Sequence, residues 1–149
     1  MSLRLLQFFA VVLTALALVP GGAHIFELPN KIGLPEEHYF IVQSIYRGWA
    51  LFGIVIIAAT GANLLLGLML LRRRAAAWPS LAAAVLLAAT LAVFFLWTYP
   101  ANQATENWTV TTANWQTLRE QWELSHALNA ILTFMALCWA TVSAMRLRD

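Results

Sequence analysis

Charge is scarce in this chain. Of its 149 residues, nine are Lys or Arg and seven are Asp or Glu, so the charged share is 11% against 61% hydrophobic. Soluble domains carry about 25% charged residues, so an ordinary water-covered globule is excluded and a chain that meets lipid is expected. A single cysteine, Cys138, excludes a disulfide framework. The basic residues flank apolar runs instead of gathering in one patch, which excludes a nucleic-acid partner. Helix breakers are few, with five prolines and seven glycines. One all-α domain covering 1–149 is therefore expected, an antiparallel four-helix bundle in a bilayer.

The spans fall at about 5–26, 49–71, 80–99 and 125–145. The first has a basic start, an apolar core and small residues after Val19, a pattern shared with signal peptides. His24 and Glu27 follow directly, so a retained helix is expected, loosened at Pro20-Gly21-Gly22. Leu28 to Leu34 reads as a connection. Pro35 suits the first position of a helix, and Glu36 and Glu37 suit its positive end. No strong breaker follows before Arg72, so one long helix is expected, its first half projecting from the membrane or lying on another projecting segment. Gly53, Thr60 and Gly67 give it a small-residue face, and Asn63 is a mid-span hydrogen-bonding group. Arg72 to Pro79 reads as a turn and Pro100 to Thr112 as a polar loop. The last span carries a small-residue face of Ala136, Ala140 and Ala144.

Arg4, Arg72, Arg73, Arg74, Arg146 and Arg148 fall on one side of these spans, and Lys31, Arg47 and Arg119 on the other. The positive-inside rule makes both termini cytoplasmic. All six glutamates and all three histidines then lie at the outer end. The expected location is the plasma membrane of a bacterium.

What chemistry there is concentrates in Trp108 to Asn129. At 100° per residue, Trp115, Arg119, Trp122 and His126 fall within a narrow arc, with Asn129 and Thr133 continuing it and Glu123 on its shoulder. Ionisable groups entering a bilayer need an interior face and partners. Glu123-x-x-His126 is matched in reverse by His24-x-x-Glu27 on the first span. A spacing of three puts each pair on one helix face. Antiparallel helices would then set His24 level with His126, and Glu27 level with Glu123.

Three readings of this constellation stand side by side. Interfacial His, Glu and Arg can simply pair, Glu27 with Lys31 and Glu123 with Arg119. Two imidazoles and two carboxylates also suit iron, copper, manganese or zinc, with Tyr46, Arg47 and Arg119 orienting the carboxylates. His24 and His126 could instead clasp a haem. His38 reads as a solvated residue. Trp108, Trp115 and Trp122 recur every seven residues, as an aromatic belt packed on the projecting half of helix two or as the wall of an apolar pocket in which Trp115, Trp122 and Asn129 meet a substrate. Asn107-Trp108-Thr109 matches a glycosylation sequon, relevant only in a eukaryotic secretory route.

On Ala23 to Ile32 (AHIFELPNKI), Ile45 to Ile54 (IYRGWALFGI), Asn114 to Leu132 (NWQTLREQWELSHALNAIL) and Pro100-Ala101-Asn102, the chain resembles the anthrone-oxygenase-like family of small four-helix membrane proteins. The resemblance implies four membrane helices and, from the few members with an assigned role, oxidation of a polycyclic aromatic by molecular oxygen. It also implies that His24 or His126 acts as a base toward an acidic C–H, with or without a metal. HIFELPNKIGL (His24 to Leu34) departs from the fungal polyketide enzymes, so the anthrone itself is not carried over. The expected activity is a membrane oxidoreductase or oxygenase for a small apolar aromatic or quinone-like molecule. The alternative is a non-catalytic accessory or assembly subunit of a larger membrane complex. The composition admits an oligomer. A transporter is disfavoured, because no inverted repeat or pair of broken helices is visible.

Overall fold

The computed structural model describes residues 2–147. Arg148, counted above with the cytoplasmic arginines, lies outside them. The described residues form helices α1 (Leu3–Lys31), α2 (Glu36–Gln43), α3 (Phe52–Met69), α4 (Arg74–Val93), α5 (Tyr99–Ala104) and α6 (Trp115–Arg146). A π turn at Phe94–Thr98 joins α4 to α5 without a break. Four segments are long and apolar enough to cross a membrane: Leu3–Lys31, Trp49–Met69, Arg74–Ala104 and Trp115–Arg146. α1 packs on α3 and α6, and α4 packs on the same two. Leu6 and Ala10 at the start of α1 meet Leu66 and Leu70 at the end of α3 and Ala76 and Ala77 at the start of α4. Neighbours are therefore antiparallel, giving the expected four-helix bundle.

Its interior is made of small residues. Ala59, Ala83, Ala136 and Ala140 pack around Leu87 at mid-bundle, while Phe8, Ile57, Val85, Leu96 and Phe134 face outward. Lipid is as apolar as a protein core, so nothing drives large side chains inward and close backbone approach decides the packing. Hydrogen bonds supplement it. Asn63 donates to Thr14 Oγ1 at 3.0 Å and to the Ala59 carbonyl at 2.9 Å, and Ser80 donates to the Asn63 carbonyl at 2.8 Å, tying α1, α3 and α4. Of the small-residue face expected on α3, Gly67 is the close contact. A Cβ there would stand 2.6 Å from the Leu81 side chain, whereas one at Gly53 would meet nothing within 4 Å.

Several expected boundaries move. α1 is neither loosened at Pro20 nor ended before Pro29, and runs on to Lys31. Proline within a helix is tolerated where neighbouring helices hold it and no water competes for the backbone. Trp78-Pro79 lies inside α4 instead of in a turn. Pro79 cannot donate to the Ala75 carbonyl, and the Arg146 guanidinium donates to it instead at 3.2 Å. Pro100 likewise continues a helix. The helix widens into the π turn just ahead of it, and Gln121 donates to the Trp97 carbonyl at 2.6 Å.

The single long second helix is corrected most. α2 ends at Gln43 and gives way to a 3₁₀ turn at Ser44–Tyr46. Gly48, at φ 89°, then breaks the chain before a second 3₁₀ turn at Trp49–Leu51. A glycine at positive φ costs little in a turn and cannot continue a right-handed helix. The break frees α2 to lie back on the end of the bundle. There Tyr39 meets Trp108 and Trp115.

The approach of α1 to α6 is set by Gly21, where a Cβ would stand 3.1 Å from the Ala130 Cα. Gly21→Ile should wedge the helices apart and lower stability by about 1–3 kcal/mol. Gly22→Ala, which would meet nothing within 4 Å, should not lower it and should raise it by up to about 1 kcal/mol. Thermal unfolding in detergent checks both.

Candidate functional site

His24, Glu27 and Lys31 follow one another at spacings of three and four, within about 60° on the face of α1. Glu123 and His126 do the same on α6. The close contact at Gly21 brings the two faces together one turn further on. The imidazoles of His24 and His126 stack, with centroids 4.3 Å apart and planes 15° from parallel. Trp122 stands edge-on to both, 4.9 Å from His24 and 4.0 Å from His126. Tyr46 and Trp49, on either side of the Gly48 break, close over His24 at 4.6 and 5.6 Å.

The carboxylates meet through a lysine. Lys31 Nζ stands 3.2 Å from Glu123 Oε1 and 3.6 Å from Glu27 Oε2. It donates to the Tyr46 hydroxyl oxygen at 2.8 Å, and that hydroxyl donates in turn to Glu27 Oε2. The ammonium also lies 4.3 Å from the Tyr46 ring centroid and 4.7 Å from that of Trp122, within cation–π range. On the far side, Tyr39 donates to Glu123 Oε1 at 2.9 Å, and Gln43 donates to the Tyr39 oxygen. Lys31 is 3% exposed and Glu123 is 1% exposed, so neither charge is paired with water. Glu27 is the open end of the cluster, its side chain 37% exposed.

Both phenols keep their protons. Burial first, then the Glu123 carboxylate, pushes Tyr39 well above the ordinary tyrosine range. Burial first, then Glu27, does the same to Tyr46. Each is thereby fixed as a donor to a carboxylate. Some polar atoms remain free. His24 Nδ1 lies 4.0 Å from Glu27 Oε2, too far for a hydrogen bond, and is buried without a partner, as is Glu123 Oε2. One turn along α6, Asn129 Oδ1 is in the same state.

The arginines expected to orient the carboxylates do not hold them. Arg47 is exposed. Arg119 donates to the Leu34 carbonyl at 2.8 Å and lies 4.8 Å from the Trp115 ring, clamping the chain ahead of α2. Lys31 does the work assigned to them, and only Tyr46 of that set is in the cluster. Trp115 packs against Tyr39 and Phe40, away from the imidazoles. Trp108 and Trp122 face inward, and Asn102 Oδ1 accepts from both indoles, at 3.3 and 2.8 Å. The seven-residue Trp series is therefore packed against α2. His38 is exposed, as expected for a solvated residue.

A metal fits this donor set poorly. The place between the carboxylates is taken by an ammonium, and the imidazoles present faces to each other instead of nitrogens to a common point. Among the described residues, no group of three or more His, Cys, Asp and Glu side chains stands where it could hold a metal ion. A macrocycle does not fit between rings 4.3 Å apart.

In the sequence, Lys31 stands out within this region only as an i,i+4 partner of Glu27. Its signal was the continuation of the His24–Glu27 face by one turn. Tyr39 and Gln43 carried no such signal, since a break at Gly48 was needed to turn them inward.

Glu123→Ala should cost about 3–5 kcal/mol, because it strands the Lys31 ammonium and the Tyr39 hydroxyl in the interior. Glu123→Gln keeps an acceptor for both and should cost less. Thermal or denaturant unfolding in detergent reads the difference.

Comparison with protein-family models, curated proteins and solved structures returns no match for this chain.

Proposed function

We propose that this protein is a membrane oxidoreductase of the oxygenase kind, acting on a small apolar aromatic or quinone-like molecule. The observation that carries the reading is the stacking of His24 on His126, across two helices and beside a buried charge cluster, with a free imidazole nitrogen. Ionisable groups so placed in an apolar bundle are costly, and their clustering is typical of functional sites. The resemblance to the anthrone-oxygenase-like family supports the same class of reaction. The positive-inside distribution supports cytoplasmic termini, with the cluster at the outer end of the bundle, and a bacterial plasma membrane as the location.

The chemistry follows from the residues. An imidazole takes a proton from an acidic ring C–H. The Glu27 carboxylate, 4.0 Å from His24 Nδ1, stands beside the charge so acquired. Trp122 and Trp49 surround His24 with aromatic surface. The carbanion adds to molecular oxygen, and the imidazolium returns its proton to the peroxide. Loss of water then leaves a carbonyl. One oxygen atom ends in the carbonyl and one in water, and the methylene supplies both hydrogens.

A second reading, an accessory subunit of a larger membrane complex, is favoured by one observation. α2 and the 3₁₀ turn after it lie outside the spanning segments and leave Ile41 and Ile45 exposed, 62% and 60%. The inward-facing Trp108 and Trp122 weaken it, because they are not free to dock a partner.

The test is oxygen uptake by the detergent-purified protein with a set of apolar polycyclic aryl ketones, each carrying an acidic ring methylene. The wild type should consume one oxygen per ketone, and His126→Ala and His24→Ala should be slower by roughly 10²-fold or more. No uptake by the wild type, or uptake unchanged in both variants, would end the oxidation reading in favour of the subunit.

A further inference from the structure

At the end of the bundle away from the imidazoles, positive charge stands alone. Among the described residues, no Asp or Glu falls in α3, in α4 or in α6 beyond Glu123, and every ion pair lies in the Lys31 cluster. Three arginines nevertheless come together there. Arg73, Arg74 and Arg146, with Ala75 and Ala76, line an open cleft of about 660 Å³ between the start of α4 and the end of α6. That is within the size range of ligand sites. Its walls are fixed. Ser143 Oγ donates to the Ala76 carbonyl at 2.7 Å and holds the two helices together. The Arg146 guanidinium is tied to the Ala75 carbonyl and lies 5.6 Å from the Trp78 ring, which packs on Trp139 at 4.5 Å. The Arg73 amide donates to the Leu70 carbonyl at 2.7 Å and turns the chain tightly into α4.

The spans set the depth of this cleft. Arg74 is the first residue of one spanning segment and Arg146 the last of another, so the guanidinium groups stand where the headgroups of a bilayer begin. A tryptophan beside them is typical of that level. Guanidinium forks bind phosphate oxygens in bidentate fashion, and basic pockets between membrane helices take anionic headgroups. We propose that this cleft binds the phosphate headgroup of an anionic phospholipid, held by Arg73, Arg74 and Arg146 from the leaflet at this end of the bundle. The position at a membrane surface selects a lipid over a soluble phosphate. The unbalanced positive charge selects an anionic lipid over a zwitterionic one. The site lies at the other end of the bundle from the imidazole pair and does not depend on the oxidation reading.

Native mass spectrometry of the delipidated protein in detergent counts bound lipid. The probes are phosphatidylglycerol and phosphatidylcholine with the same acyl chains, and inorganic phosphate serves as competitor. The wild type should keep one phosphatidylglycerol per chain, bind phosphatidylcholine about tenfold more weakly, and not release the lipid to inorganic phosphate. Arg73→Gln/Arg74→Gln should weaken phosphatidylglycerol binding by about tenfold or more. Arg4→Gln/Arg72→Gln removes the same charge from the same end, but neither residue lines the cleft, and Arg4 belongs to a separate groove with Phe8 and Leu147. This pair should change binding by less than about threefold, the residue of screened surface charge. Equal weakening in both pairs would reduce the effect to general surface charge and overturn the proposal. So would a wild type that keeps no phosphatidylglycerol or keeps phosphatidylcholine equally well. Displacement by inorganic phosphate would make the ligand a soluble anion and overturn it too. The lipid preference of the wild type tests the proposal even if a variant fails to fold.

Discussion

One ammonium shared by two carboxylates inside an apolar bundle is the interaction on which the rest of this structure depends. Lys31 and Glu123 are almost fully removed from solvent. Removing charges from water costs several kcal/mol per ion, and their attraction offsets this only when the remaining protons and lone pairs are also satisfied. That condition explains features that look unrelated. α1 has to continue through Pro29 to place Lys31 opposite Glu123. The chain has to break at Gly48, so that Tyr46 reaches Glu27 from one side of the turn while α2 brings Tyr39 and Gln43 to the other side. Glu106, Asn107 and Trp108 all adopt positive φ, and this strained turn seats the Trp108 indole over Tyr39.

The imidazole pair is the complement of that cluster. It stacks because α1 and α6 approach closely at Gly21 and Ala130, and it is walled by Trp122, whose ring also faces the ammonium. Proton-accepting groups, a fixed positive charge and aromatic surface thus meet at one end of the bundle. The opposite end holds Arg4, Arg72, Arg73, Arg74 and Arg146 around a core of leucine and alanine without titratable groups. The asymmetry separates an end made of apolar packing from an end where the buried charges and imidazoles gather.

The bundle itself was legible in the sequence, because four apolar runs of spanning length, with few charges between them, admit few other arrangements. The mirror spacing of His24–Glu27 and Glu123–His126 was legible too, since helical periodicity alone puts each pair on one face. The identity of the central cation was not. Lys31, Arg47 and Arg119 are equivalent in composition, and only the extension of α1 past Pro29 decides among them. Proline is a breaker in water, but α1 runs on through Pro29, and at Pro79 a neighbouring helix supplies the missing donor, Arg146 bonding the Ala75 carbonyl. Gly48 carried the opposite trap. An isolated glycine inside an apolar helix is ordinary in membranes, and nothing local to its sequence distinguishes it from Gly53 or Gly61, which stay helical.

Lys31 and Glu123 act as one unit. A double-mutant cycle on thermal or denaturant stability in detergent, with Lys31→Met and Glu123→Gln singly and together, tests it most directly. The account predicts a coupling of about 1–3 kcal/mol, with the double variant far less destabilised than the sum of the two single ones. Additivity within about 0.5 kcal/mol would mean that the two charges do not depend on each other, and would contradict the account.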